Sequence, residues 1–375
     1  MVSMLFKSRG IFPYFTLLLV ILISTFIVWF PFLFRITSWF GLTIPHANMQ
    51  YVYSNFDGPL YIIPAKTLYN PSQMIIPSLS PQYFAAHLPL YPLIIRLFNF
   101  LGYVHSMIFV NLLFTVGITS LFYYVIVKYK VTAQPLILTA VFLFLPRFLV
   151  VRSVGAPENM FMFFILLSLL FFEEKKYFLA TLFGGLSVIT KTPGILLVVV
   201  YGLTLLEHFI QTKKIVWKSF WIVLIPLFLG GVFVWYYLQY GDFFAYFHSG
   251  DNIHLISPFA VFNFQAKWVG TAWLEDIIFY LFLYGLTVVA LWQTHLRSFF
   301  YFCLVFFIAT LFVQHRDIAR YSLPLWPLAC IAFERFFTSK KFLIVFVILL
   351  PALFLYAWNF LSSNTMPIAD WKPFL

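Results

Sequence analysis

The chain has 375 residues, of which 63% are hydrophobic, 22% aromatic and only 9% charged, and its mean hydropathy is +0.95. That profile excludes an ordinary soluble domain and fits a chain built mostly of membrane-spanning segments. The net charge of +11 needs no nucleic-acid partner, because the cations fall in short loops between apolar runs.

Eleven apolar runs are predicted as helices, near residues 11–34, 104–127, 133–151, 157–172, 177–190, 194–211, 217–239, 275–294, 298–314, 321–338 and 342–361. Runs of roughly 17–25 apolar residues cross a bilayer as helices, because lipid offers the backbone no other partners. A transmembrane barrel would show short alternating segments instead. The first run is too long for a signal-peptide core and no small-residue cleavage site follows it, so it reads as a retained helix. The expected architecture is all-α and polytopic, with residues 1–375 forming one transmembrane domain.

The loops give an orientation. Lys7 and Arg9 precede the first run. Lys128 and Lys130, Lys175 and Lys176, Lys213, Lys214 and Lys218, Arg297, and Lys340 and Lys341 follow the even-numbered runs. With eleven crossings all of these share one side, which is then cytoplasmic. The C-terminus would lie outside. Cys303 and Cys330 both fall inside runs and read as buried thiols. No sequon with a permitted middle residue occurs, and Asn70 is followed by Pro71. The expected location is a prokaryotic cell membrane with the site facing outward; the alternative is an endoplasmic-reticulum membrane with a lumenal site.

Two segments on the outer side exceed what a connection needs: about 35–103, rich in aromatics and prolines, and about 240–274. Long loops are usually functional, and the first is expected to contain short helices along the interface. The remaining ionisable residues collect on the same side. Asp57 lies in "SNFDGPLYIIPAK"; Arg147 and Arg152 end the third run. Glu158 opens the fourth in "GAPENMF", and Lys191 lies in "ITKTPG". Asp242, Asp251 and His254 lie in the second long segment, and His315, Arg316, Asp317 and Arg320 in "HRDIARY".

Each has a plain structural role open to it. Asp57-Gly58-Pro59 is a good turn, which an aspartate caps for its own backbone. Glu158 after Pro157 suits a helix dipole. Arg152, Lys191 and Arg320 can snorkel to the interface or bind headgroups. "HSGDNIH", residues 248–254, matches no standard metal spacing. No metal residues are assigned, no cofactor is certain, and a divalent cation is left open.

Convergence favours chemistry. A candidate base, a second acid and several cations on one face fit transfer from a lipid-linked donor. Asp57 would deprotonate an acceptor hydroxyl, while Arg and Lys stabilise the departing lipid phosphate.

The motifs carry a resemblance. "NFDGPLY" resembles the first-loop Asp motif of GT-C membrane glycosyltransferases. "HLPLYPLIIR", which opens on His87, resembles the segment ending that loop in the GPI mannosyltransferase 2 (PIG-V-like) group. "SVGAPENMFMFFILLSLLFFEEKKYFLATLFGGLSVITKTPGILL" resembles the next block. "YGDFFAYFHSG", followed by Trp268, and "RDIARYSLPLWPL" resemble two later ones. The ordered set covers roughly residues 50–330. It departs in having Phe-Asp where that group has Trp-Asp, and Lys191 where Arg is frequent.

The resemblance implies a GT-C fold with a helical first external loop, and hence a transmembrane glycosyltransferase domain. It implies an inverting transferase that uses a polyprenyl-phosphate sugar, by analogy mannose. Asp57 would be its base, and His87, Arg152, Glu158, Lys191, Asp251, Arg316 and Arg320 its substrate-binding residues. The partners are that donor, a glycan, lipid or protein acceptor, and membrane lipids, with no nucleic acid. Two rivals stay open: a transporter or flippase of lipid-linked intermediates, and a non-catalytic membrane partner subunit. Transporters place polar groups at mid-span in repeated halves, and no repeat or mid-span charge is visible here.

Overall fold

The computed structural model describes residues 10–76, 79–251, 255–263 and 274–364. Lys7, Arg9, His254, Trp268 and the last residues of the chain lie outside the described residues. The described chain is all-helical apart from a hairpin of two short antiparallel strands, β1 (Ser38–Trp39) and β2 (Leu42–Thr43).

In chain order the helices begin with α1 (Phe12–Leu33), α2 (Met49–Tyr53), α3 (Gly58–Thr67), α4 (Leu90–Leu97) and α5 (Tyr103–Lys128). Then come α6 (Pro135–Phe142), α7 (Pro146–Val151), α8 (Glu158–Glu173), α9 (Tyr177–Val188), α10 (Leu196–Thr212) and α11 (Leu224–Tyr240). The last are α12 (Ala245–His248), α13 (Glu275–Leu291), α14 (Arg297–Leu311), α15 (Ile318–Tyr321), α16 (Trp326–Ala332), α17 (Glu334–Phe337) and α18 (Lys340–Ser363).

Among the described residues, five helices are long and apolar enough to cross a membrane: Phe12–Leu33, Tyr103–Lys128, Thr192–Thr212, Trp217–Tyr240 and Lys340–Ser363. The 22 residues of α1 rise about 33 Å, enough for a hydrocarbon core of about 30 Å. Large apolar side chains such as Leu227 and Leu238 on α11, and Ile344 and Ile348 on α18, are exposed. Such surface is expected of helices that face lipid.

The other runs are shorter or broken. The run at 133–151 is two short helices, α6 and α7, each opened by a proline in its first turn. A proline donates no backbone hydrogen bond and crowds the preceding turn, so Pro146 ends one helix and starts the next. The run at 321–338 is divided in the same way, with Pro324 in a 3₁₀ turn and Pro327 opening α16.

The chain forms two compact units, where the sequence reads as one domain. The first joins Met1–Phe163 to Glu334–Leu375, and the second is Phe164–Phe333. No polar linker marks the boundary, which falls inside α8. In the first unit α1 packs on α5 and α18, and α3 on α4 and α5. Helix α3 is buried from Gly58 to Ala65, so this part of the 35–103 segment is core rather than an interfacial helix. In the second unit α9 packs on α11, and α10 on α14. A Cβ at Gly185 would fall 2.5 Å from the Phe228 ring. The missing side chain is what lets α9 and α11 approach.

Candidate functional site

The Asp57 loop of the first unit is anchored on both sides. Asn48 caps α2, its side chain accepting from the Gln50 N–H at 2.9 Å. Asn55 is fully buried; its Nδ2 donates to the carbonyls of Tyr51 (3.0 Å) and, at the end of α18, Leu361 (2.9 Å). Asn364 Nδ2 donates in turn to Asn55 Oδ1 at 3.1 Å. Phe56 then takes φ +49°, left-handed backbone that a bulky residue adopts only under constraint. Its ring lies 5.4 Å from that of Phe360, over which the Arg147 guanidinium sits at 4.4 Å.

Asp57 follows, half-buried, at the N-cap position of α3. That is where an aspartate normally accepts from the helix's first N–H groups. The Asp57 side chain makes no capping hydrogen bond. Pro59 supplies the helical start instead, since its fixed φ suits the first turn. Gly58 is tightly enclosed: a Cβ there would fall 3.1 Å from the Gly155 carbonyl and 3.1 Å from Met107 Sδ. The Asp57 loop thus abuts the loop that leads to Glu158.

That second loop is held by two buried asparagines. Asn111 Nδ2 donates to the carbonyls of Val151 (2.8 Å) and Val154. Asn159 Nδ2 donates to Asn111 Oδ1 at 2.8 Å and to Thr115 Oγ1 at 2.7 Å. Trp29 Nε1 adds a bond to the Ser153 carbonyl at 2.7 Å. Glu158, 2% exposed, opens α8 inside this frame. Burial, and next the Glu158 charge, push the Tyr91 hydroxyl well above its ordinary range, and that hydroxyl donates to the Met107 carbonyl at 3.0 Å. Tyr61 of α3 meets both the Tyr91 ring (5.1 Å) and the His87 ring (4.9 Å) edge-on. His87 is itself buried, and its carbonyl accepts from the Tyr69 hydroxyl. The first unit therefore gathers Asp57, His87 and Glu158 around α3.

Arg152 belongs to a different environment. It is 1% exposed, and its guanidinium donates to Thr25 Oγ1 (3.0 Å), Ser24 Oγ (2.7 Å) and the Leu143 carbonyl (3.2 Å). These contacts lie beside the middle of α1. Three donations into helix packing account for this arginine without a phosphate, and they bring a charge to mid-helix that the runs taken singly do not show.

The second unit assembles its own group. Lys191 is half-buried, with Nζ 5.6 Å over the Tyr321 ring. Thr192 and Tyr246 share a hydrogen bond of 2.8 Å, and the Asp251 charge acts on the Tyr246 hydroxyl, which burial already raises. Arg320 is 5% exposed on α15 next to Tyr321, whereas Arg316 and Asp251 are exposed. Beside Lys191 lies a cavity of about 330 Å³ whose walls are mostly apolar, among them Ile195, Leu196, Phe233, Phe247, Phe306 and Val313. Thr192, Tyr246 and Tyr321 also line it.

No three His, Cys, Asp or Glu among the described residues cluster as metal ligands would. His248, in the segment read for metal spacing, pairs with Asp242 at 2.7 Å. Cys303 and Cys330 are both buried and unbridged.

The sequence did not single out Asn55, Asn111, Asn159 or Tyr91. An asparagine inside an apolar run, as at Asn111, was the signal available, because lipid gives an amide no partner.

No family model matches the chain, and no curated protein matches it either.

Proposed function

We propose that the protein is a multi-pass membrane glycosyltransferase that moves a sugar from a polyprenyl-phosphate donor to an acceptor hydroxyl, with inversion. In this reading the eleven apolar runs cross or enter the bilayer, the short basic loops are cytoplasmic, and the 35–103 segment lies outside in a GT-C-like arrangement. Asp57 accepts the acceptor's proton. The freed oxygen bonds to the anomeric carbon as the bond to the donor phosphate breaks, and polyprenyl phosphate leaves. Glu158 and His87 orient the acceptor. Lys191 and Arg320 neutralise the phosphate. The apolar cavity beside Lys191 takes the first prenyl units.

One observation carries this reading: Asp57 follows a left-handed Phe56 in a loop pinned by the buried Asn55 amide. A constrained backbone that holds a half-buried carboxylate in one place is what a general base requires. An ionised aspartate suffices, since it need only accept the proton as the new bond forms. Arg152 beside mid-α1 is the observation that favours a transporter, but its guanidinium is already committed to Ser24, Thr25 and Leu143.

The test offers purified protein a panel of polyprenyl-phosphate sugars with simple glycoside, lipid and peptide acceptors. The expected result is protein-dependent donor consumption and a product of inverted anomeric configuration. Binding without turnover across the panel would favour a carrier or a partner subunit. Retained configuration would exclude the single displacement.

A further inference from the structure

A second cavity of the second unit carries charged side chains, and it lies where the Lys175, Lys218 and Arg297 segments meet. It encloses about 550 Å³ and is lined by Glu173, Lys175, Tyr177, Glu207, His208, Gln211, Lys218 and Arg297 together with apolar neighbours. That volume falls in the usual range for small-ligand sites. None of these residues belongs to the group around Lys191.

Both carboxylates in its wall are already engaged. Glu207 accepts from Arg297 Nε at 2.8 Å. Glu173 accepts from the Ser298 N–H at 2.8 Å and the Ser298 hydroxyl at 2.7 Å, which caps the start of α14. Arg297 is fixed further by the Trp292 carbonyl and the Phe300 ring. These pairs build the wall and leave Lys175 and Lys218, from two different elements, as the exposed lysines of its lining. Lys175 ends α8 at φ +59°, a backbone state that glycine adopts more readily. A helix C-terminus favours a cation, but it does not explain a second lysine, a histidine and a glutamine around one cavity.

The rim indicates what the ligand is attached to. The 3₁₀ helix Trp217–Val223, which carries Lys218, has no buried residue. Trp217, Phe220 and Trp221 on it are strongly exposed, with Trp217 stacked on Phe220 and Trp221 against Phe178. Exposed tryptophan beside lysine is the composition of a membrane–water interface, where rings sit at headgroup depth and lysines meet anionic phosphate.

We infer that this cavity binds the phosphate of an anionic membrane lipid through Lys175 and Lys218, with His208 and Gln211 as further donors. The inference rests on the chain's spanning a membrane and not on glycosyl transfer. It adds a lipid site at the basic end of the second unit, and a failure of one assignment leaves the other standing.

Full-length protein in nanodiscs of phosphatidylcholine with a graded fraction of phosphatidylglycerol provides the test, the retained lipid being counted after extraction. Wild-type protein should retain phosphatidylglycerol in preference to phosphatidylcholine. The double variant Lys175→Gln/Lys218→Gln should lower that preference about tenfold or more. Lys340→Gln/Lys341→Gln, an equal charge change in the other unit, should leave it unchanged. Equal losses in both double variants would reduce the effect to bulk charge and overturn the site, as would retention unaffected by Lys175 and Lys218. In a parallel arm, inorganic phosphate and glycerol 3-phosphate are added to detergent-solubilised protein. If either raises the melting temperature as far as phosphatidylglycerol does, the ligand is a soluble phosphate and the lipid assignment falls.

Discussion

The Asp57 region of the first unit is fixed by side-chain amides, whereas the Lys191 region of the second is fixed by rings around an apolar cavity. Asn55, Asn111 and Asn159 bond to backbone carbonyls or to one another, and so pin loops that the helices alone would leave soft. Around Lys191 the contacts include the Tyr321 ring, the Thr192–Tyr246 hydrogen bond and the apolar wall of the cavity. The difference matches the tasks proposed for the two regions. A base must be held to a fraction of an ångström to meet one proton. A cavity for a prenyl chain needs volume and an apolar wall.

The largest effect should come from the arginine that belongs to neither group. Arg152→Ala leaves two hydroxyls and a carbonyl in the core without their donor, and each bond to a charged group is worth about 1.5–3 kcal/mol. The folded yield should collapse in every assay. A stable Arg152→Ala protein that has lost only donor affinity would instead return Arg152 to the phosphate site.

Asn159→Ala sharpens the comparison next. It deletes two buried bonds and should cost about 2 kcal/mol, read as earlier unfolding of the detergent-solubilised protein. Turnover should fall further than stability predicts, because the Glu158 loop loses its frame. Stability equal to wild type would mean that the amide network is ornamental.

Arg320→Ala should weaken donor use by about tenfold or more, since one charge-assisted contact exceeds the 1.4 kcal/mol that a factor of ten requires. The change should appear in the donor KM. Unchanged donor kinetics in folded protein would remove Arg320 from the site.

The smallest effect is expected at Asp242. Its hydrogen bond to His248 holds the carboxylate below the usual aspartate range, but His248 is largely exposed and Asp242 partly so. A depressed carboxylate contributes stability above its ordinary pKa and loses it as pH falls through the depressed value. Asp242→Asn should therefore cost under about 1 kcal/mol near neutrality and nothing in acid, seen as melting curves that converge at low pH.

Much of the helical layout was readable. The runs at 11–34, 104–127 and 342–361 correspond to α1, α5 and α18 within a few residues, because a long continuous apolar sequence has few alternatives to a helix. The breaks at Pro146, Pro324 and Pro327 were not read, since each proline lies within an unbroken apolar run. Asp57 stood out as a carboxylate in an aromatic segment. That its side chain would not cap α3 goes with its own backbone, φ −91° and ψ 11°, outside the extended region a capping residue adopts, and no local pattern announces that. The destination of Arg152 was hidden for a simpler reason: Ser24 and Thr25 lie far away in sequence and are ordinary hydroxyls within an apolar run.

Glycosyl transfer by this chain is tested most directly at Asp57. Asparagine is nearly isosteric and can still form the turn, so Asp57→Asn should fold, purify and bind donor as wild type does. General-base catalysis is worth about 10²–10⁴-fold in rate. Transfer from the donor identified in the panel should therefore fall by that factor at unchanged donor affinity. An Asp57→Asn protein that transfers sugar at the wild-type rate would contradict the account.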